Sequence, residues 1–270
     1  MTRYTQGHHE SVLRSHRWRT AENSAAYLLP HLSPGDTLLD VGCGPGTITR
    51  ELADLVGPSG SVLGIDNAVA AVDVARTDGA RARHDNLRFE VQDITGLDLP
   101  DDSFDVVHAH QLLQHLADPV AAIREMVRVT RPGGLLALRD ADYAAMTWHP
   151  QPPAMEEWLA LYRMVARGNG AEPDAGRRLL QWATDAGLRD VTASASVWCF
   201  ATPGDRQWWG GLQADRITQS AVAEQALDAG LADRESLQRM ATAWRDWAAT
   251  DTAWFAVLNG EVLCRVTDPG

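Results

Sequence analysis

The sequence predicts a doubly wound α/β fold built on a seven-stranded sheet, mostly parallel with one antiparallel strand. Two observations carry this. Between residues 37 and 139 short apolar runs alternate with helical patterns, as strand and helix do around a parallel sheet. Beyond residue 150, long helical stretches separate only two more strand-like segments. These stretches interrupt the sheet pattern and are candidate lid insertions.

Residues 8–29 read as helix with broken apolar spacing (Val12, Leu13, His16, then Ala25, Ala26, Leu28, Leu29), ended by Pro30. Pro34-Gly35 marks a turn. Thr37-Leu38-Leu39-Asp40-Val41 is short, apolar and followed by glycine, as a buried parallel strand should be. Helix 46–56, strand 61–65, helix 67–78, strand 87–91 and strand 104–109 follow. In helix 118–130, Val120, Ile123, Met126 and Val127 share one face, with Asp118 as N-cap and Pro119 at the first helical position. Arg131-Pro132-Gly133-Gly134 stops that helix before strand 134–139. Residues 153–187 read as mostly helical, 190–200 as strand and 204–249 as helix. Residues 253–266 form the last strand region, with Asn259-Gly260 as a hairpin-like turn or bulge signal. The stretches 141–171 and 203–250 are the candidate lids over the carboxyl edge of the sheet.

Composition excludes several chemistries. All 24 Lys+Arg residues are arginine, so Schiff-base catalysis, a pyridoxal-phosphate site and a lysine-bearing phosphate loop are closed. The net charge of −12 argues against a nucleic-acid partner, which would need clustered basic residues. One local exception is the amino-terminal patch Arg3, Arg14, Arg17 and Arg19, set against the single acid Glu10. No apolar run approaches the roughly 18–20 residues that cross a bilayer. A polar start without an apolar h-region and three scattered cysteines suit a soluble, cytoplasmic protein.

The most specific feature is Asp40-Val41-Gly42-Cys43-Gly44-Pro45-Gly46, after a predicted strand and before a helix. Glycines there allow a tight turn and close approach of a ligand. The nicotinamide-dinucleotide fingerprint is G-x-G-x-x-G and holds a pyrophosphate. Here the spacing is G-x-G-x-G, with a carboxylate two residues ahead that suits a ligand carrying an ammonium. Asp66 ends the second strand, where it can accept from both hydroxyls of a ribose, and Asp93 ends the third, where it can read an adenine. Each piece alone has a bland reading: a tight turn, a solvated strand end, a helix cap. Together, in this order, they outline a site for adenosine bearing an amino acid.

These residues resemble the class I S-adenosylmethionine-dependent methyltransferases, in the ubiquinone/menaquinone-methyltransferase-like group. The resemblance is carried by Leu38-Leu39-Asp40-Val41-Gly42-Cys43-Gly44-Pro45-Gly46-Thr47, Gly64-Ile65-Asp66 and Gln92-Asp93-Ile94. Ser103-Phe104-Asp105-Val106-Val107, Leu113-Gln114-His115-Leu116-Ala117-Asp118-Pro119 and Arg131-Pro132-Gly133-Gly134 extend it, and it fades beyond about residue 140. It implies a Rossmann-like core over 37–140 that binds S-adenosyl-L-methionine, behind an amino-terminal helical lid over 1–36. Residues 141–270 would supply the remaining strands and the acceptor-pocket insertions. It also implies that Gly42 and Gly44, with Asp40, meet the methionine end of the cofactor. Asp66 and Asn67 would hold the ribose, Asp93 and Ile94 the adenine, and His110-Gln111 would pass under the cofactor. Tyr4 is the candidate for a tyrosine that closes over it.

Methyl transfer is an in-line displacement, and a base is needed only for some nucleophiles. His108, His110 and His115 crowd the end of the fourth predicted strand. His108 alternates with Val107 and Ala109 and reads as structural. His115 is the candidate base, and His110 the candidate contact to cofactor or pocket near the reacting methyl. No acid or cysteine at matching spacing makes them a metal site. Ten tryptophans stand against four phenylalanines and four tyrosines, and nine of the ten follow residue 147. Most should fill core. Trp208-Trp209 places adjacent indoles on different helix faces, so with Trp148 they are the candidate lining of an apolar or aromatic pocket. Arg206 and Arg216 either steer an anionic acceptor or pair with Asp205 and Asp215.

The expected function is methylation of a small apolar or aromatic metabolite on O, N or C, such as a natural-product intermediate. The alternatives are a quinone-precursor C-methyltransferase and a protein that binds S-adenosylmethionine without methylating. The expected partner is a small-molecule acceptor, with no nucleic acid and no membrane. A homodimer is the oligomer considered.

Overall fold

The computed structural model describes residues 10–82 and 84–267. Eight strands form one sheet: β1 (Thr37–Val41), β2 (Ser61–Asp66), β3 (Leu87–Val91), β4 (Phe104–His110), β5 (Thr130–Ala141), β6 (Thr147–His149), β7 (Thr192–Phe200) and β8 (Trp254–Arg265). The order is β3-β2-β1-β4-β5-β8-β6, with β7 on the other side of β8. β1 to β5 pair in parallel, and β8 runs antiparallel to β5, β6 and β7. The sheet therefore has eight strands rather than seven. β5 reaches only Asn259 of the long β8, and the short β6 pairs with the overhang Trp254 to Ala256.

The helices are α1 (Glu10–Arg17), α2 (Ala21–Ala25), α3 (Thr47–Val56), α4 (Val69–Ala82), α5 (Pro119–Val129), α6 (Pro153–Gly168), α7 (Leu179–Asp185), α8 (Pro203–Gln219), α9 (Ala221–Asp228) and α10 (Arg234–Ala249). The single helix expected over 8–29 is broken at Trp18-Arg19-Thr20. Thr20 accepts from the Asn23 backbone while Asn23 reaches back to the Thr20 N–H, a capping box that starts a new helix. Asp118 caps α5, and Thr202 with Asp205 caps α8 in the same reciprocal way.

Side-chain alternation sorts the sheet into two faces. Leu39, Val41, Val107, Leu136, Leu138 and Val262 pack with Ile123 and Met126 of α5 and Leu179 of α7. Leu38, Val62, Val106, Leu135 and Ala137 pack with Ala25, Leu28, Ile48 and Leu52 on the other face. A third core joins α6, α8, α9 and α10 to the far end of β8. Its hub is the fully buried Phe255, whose ring lies 5.2–6.3 Å from Trp148, Trp158, Trp209, Trp244 and Trp247. Most tryptophans do fill core. Trp254, on the alternate face of β8, stays exposed.

Asn259-Gly260 is not a turn. Both lie inside β8, paired to β5 on one side and to β7 on the other. The dipeptide serves packing: a Cβ at Gly260 would overlap the backbone of Gly176. Gly260→Ala should destabilise the fold by about 2–3 kcal/mol through this overpacking. An unchanged thermal midpoint would show that the 175–178 turn moves aside freely.

Candidate functional site

Parallel pairing brings the carboxyl ends of β1, β2, β3 and β4 to one edge, where ligands of doubly wound sheets bind. The loop after β1 turns through Gly42 (φ +74°), Gly44 (φ +53°) and Gly46 (φ +74°), a left-handed run that side chains disfavour. Gly46 also lacks room for a Cβ, which would come within 2.7 Å of the Phe89 ring. Asp66 shapes this cradle directly. Its carboxylate accepts from the Gly44 N–H at 3.0 Å and from the Ala68 N–H at 2.9 Å, fixing the glycine loop and the entry to α4. Asn67 is exposed beside it. Asp93 is exposed after β3 and accepts from the Thr95 backbone and hydroxyl, while Ile94 is buried below. The residues expected to hold ribose and adenine thus lie on the edge that carries the glycine loop.

Asp40 is also held by partners inside the fold. It shares a sheet face with His108, its register partner on β4, because both alternate with core residues. Its Oδ2 accepts from Thr49 at 2.6 Å and its Oδ1 lies 2.8 Å from His108 Nδ1. Both oxygens are engaged below the loop, and the carboxylate ties β1, β4 and α3 together. His108 is fully buried and structural, as its alternation suggests. Cys43 sits in the loop with its thiol pushed well up by burial and by Asp40 and Asp66, which keeps it protonated.

At the end of β4, Gln111 adopts φ +51°. Its N–H donates to the Arg139 carbonyl, its amide donates to Asn259, and its oxygen accepts from Arg19. Leu112 folds back over Gly42. His110 is buried, and burial together with Arg19 and Arg139 pushes it well below the usual histidine range. His115 is lowered to about 3, mainly by burial and then by Arg19. A histidine so shifted is neutral at pH 7 and a weak proton acceptor. Asp140, at the end of β5, is raised by burial to about 7 although it accepts from the Leu113 and Gln114 N–H groups. Asp140 is not among the residues that the motifs single out. Its available signal was the charged run Arg139-Asp140-Ala141-Asp142 at the carboxyl end of an apolar strand.

The amino-terminal helix covers this edge. His16 lies against the Gly44 position, and its carbonyl accepts from Thr47 at 3.0 Å. Arg14 pairs with Asp215 of α8 at 2.9 Å, and Arg216 donates to Ser15. Tyr4 lies outside the described residues. Beneath α1 is a narrow cleft whose walls include Trp18, Trp198, Trp208, Trp209, Tyr143 and Met146, with Arg19, Arg216 and Gln111 among its polar lining. Both indoles of the Trp208-Trp209 pair reach it: Trp209 stacks on Phe200 at 4.3 Å, and Trp208 lies 5.3 Å from Trp18. Trp148 is not in this wall; it is buried against Phe255. Arg206 bonds the Ala201 carbonyl and lies 3.6 Å from Asp251, away from Asp205. Among the described residues no group of three His, Cys, Asp or Glu could hold a metal ion, and no helix is long and apolar enough to cross a membrane.

The cradle fits the sulfonium nucleoside that the motifs imply. The loop after β1 turns at positive φ, as a close backbone approach requires, and a carboxylate stands beside it at the tip of β2. Comparison with known proteins agrees. A family model described as a methyltransferase domain matches residues 32–202. An uncharacterized methyltransferase of Schizosaccharomyces pombe is 35% identical over 96% of this chain and 95% of its own length. A "probable methyltransferase", ltbC, of Aspergillus luteorubrus is 30% identical over 96% of each chain. Among solved structures, the cyclase SpnF is similar in fold, with a TM-score of 0.52 and 21% identity over 93% of this chain and 80% of that one. With its glycine loop, strand-end acids and matched domain, the chain belongs to the class I S-adenosylmethionine-dependent methyltransferases.

Proposed function

We propose that the enzyme methylates a small aromatic or apolar molecule, on O, N or C, bound in the cleft beneath α1. The observation that carries this is the aromatic wall of Trp18, Trp198, Trp208 and Trp209, which borders Gln111 at the cofactor edge. Indole and phenyl faces offer planar apolar contact, and a few polar groups among them would fix orientation. Bound S-adenosylmethionine supplies a methyl group on a sulfonium, whose departure needs little help. The chain's own contribution is to hold the acceptor in line and exclude water, which α1, Leu112 and the indoles are placed to do. In this reading Asp66 binds the ribose, Asp93 and Ile94 the adenine, and Gly42 and Gly44 the methionine end. His115, held neutral by burial and Arg19, is a poor general base, so catalysis in this reading rests on alignment of the acceptor.

The test is transfer of labelled methyl from S-adenosylmethionine into a small-molecule extract, followed by organic extraction. Label should enter apolar products, with the yield cut at least about tenfold when Trp208 and Trp209 are replaced by alanine. Binding of S-adenosylhomocysteine without transfer to any extract would favour a non-methylating binder and sink the proposal.

A further inference from the structure

Strand register places four polar side chains in one row across the sheet: Ser194 of β7, Glu261 of β8, Arg139 of β5 and His110 of β4. Arg139 is 1% exposed and Glu261 6%, and they pair at 3.2 Å. Ser194 donates to Glu261 at 2.8 Å, Ser196 donates to it as well, and the guanidinium donates to Ser196 and lies 4.8 Å from the Trp198 ring. An apolar pair of similar volume often serves stability as well as a buried ion pair. This one holds a rigid guanidinium against His110, with Arg139 Nη1 3.4 Å from the imidazole Nδ1.

We propose that Arg139 fixes His110 as the tautomer protonated on Nε2, and that this N–H donates to an oxygen of the acceptor, which is therefore a phenol, enol or ring carbonyl. The acceptor half of the proposal rests on the aromatic cleft of the proposed function. A guanidinium offers five donors and no acceptor, so Nδ1 must present its lone pair and the proton must sit on Nε2. The charged or titratable groups acting on the ring are Arg19 after α1, His16 of α1, Arg139 of β5 and His108 of β4; with burial, all of them disfavour a second proton. Nε2 is buried and has no hydrogen-bond partner among the described residues. A buried N–H of this kind awaits a lone pair. The ring lies 5.6 Å from Trp198 and one position before Gln111, both of which line the cleft, and the lone pair is assigned to the molecule bound there. Arg19 and Arg216 in the cleft lining disfavour an ammonium there and favour an oxygen bearing negative charge. His110 acts as a donor, and Arg139 is its positioning residue.

Long-range proton–nitrogen spectra of the full-length protein should show His110 protonated on Nε2 alone, unchanged from about pH 5.5 to about pH 8.5. A proton on Nδ1, or titration near neutrality, overturns the tautomer. Arg139→Lys, which keeps a donor, should preserve the signal. Arg139→Gln combined with Glu261→Gln removes both charges and should shift part of the proton to Nδ1; no shift overturns the positioning role. The oxygen preference is read with 2-naphthol and naphthalene, by quenching of tryptophan fluorescence in the presence of S-adenosylhomocysteine. 2-Naphthol should bind at least about tenfold tighter. His110→Phe should erase the difference and His110→Gln, which retains an N–H, should keep it, each protein being measured at a saturating concentration of S-adenosylhomocysteine. Equal binding of the two probes to the wild type, failure of both to bind, or a preference that survives in His110→Phe overturns the donor role. Absence of methyl transfer would strike the proposed function and leave the tautomer standing.

Discussion

Asp66→Ala is expected to weaken S-adenosylhomocysteine binding by about 100-fold or more. A carboxylate accepting from two ribose hydroxyls makes two charge-assisted bonds, each of which contributes roughly tenfold in affinity or more. The same side chain also accepts from the Gly44 and Ala68 N–H groups, so its removal loosens the loop that would receive the methionine end. Asp66→Asn separates the two effects. Its one oxygen can still accept from Gly44 while the charge is gone, so the loss should be about tenfold. Calorimetry on the three proteins decides. If Asp66→Ala binds as tightly as wild type, the ribose role is wrong, and the side chain merely staples β2 to the loop.

That side chain also shows what the sequence could reveal. The glycine loop and the strand-end acids were legible because their signal is local. A buried parallel strand must be apolar, the turn after it must tolerate positive φ, and the acid at the next strand's tip follows within one strand–helix unit. His108 was legible for the same reason, through simple alternation. Asp40 lies in the same motif, and alternation with Leu39 and Val41 puts it on the face of His108, where Thr49 and the imidazole occupy both oxygens. Motif position suggests a ligand contact, and strand geometry adds bonds under the loop that the motif does not announce.

What stayed hidden depends on contacts between distant segments. Arg139 meets Glu261 across 122 positions, and Arg14 meets Asp215 across 201. Neither pairing has a local signature. The basic amino-terminal patch could be seen as an anomaly on an acidic chain, but its destination on α8 and Gln111 could not. Asn259-Gly260 illustrates the opposite error. Its turn propensity is real, yet β5 and β7 both pair with β8 there, and the glycine is needed for close approach of Gly176. Tertiary pairing overrode a local preference. Trp148 was grouped with Trp208 and Trp209 because sequence does not say which of many indoles share a wall.

The pH dependence of stability should carry a component from Asp140 that runs opposite to the usual carboxylate. Most buried acids that find partners titrate lower in the folded state and support it at neutral pH. Asp140 is raised, to about 7 from an ordinary value near 3.8, because burial outweighs two backbone donors and the charges of Arg139 and Arg19. A raised carboxyl favours folding fully below its unfolded value, and that contribution is lost as pH climbs through about 7. The shift corresponds to about 4 kcal/mol between pH 4 and pH 8, as an upper figure. Asp140→Asn removes the titration. Its amide turns one donor toward the Leu113 or Gln114 N–H, which costs about 1–3 kcal/mol at every pH. The difference in unfolding free energy between variant and wild type should therefore swing toward the variant by several kcal/mol as pH rises from 4 to 8. Paired denaturant titrations at each pH cancel the other groups. A difference that does not vary with pH would mean that the carboxyl of Asp140 is not raised in the folded state and that its two backbone donors offset its burial.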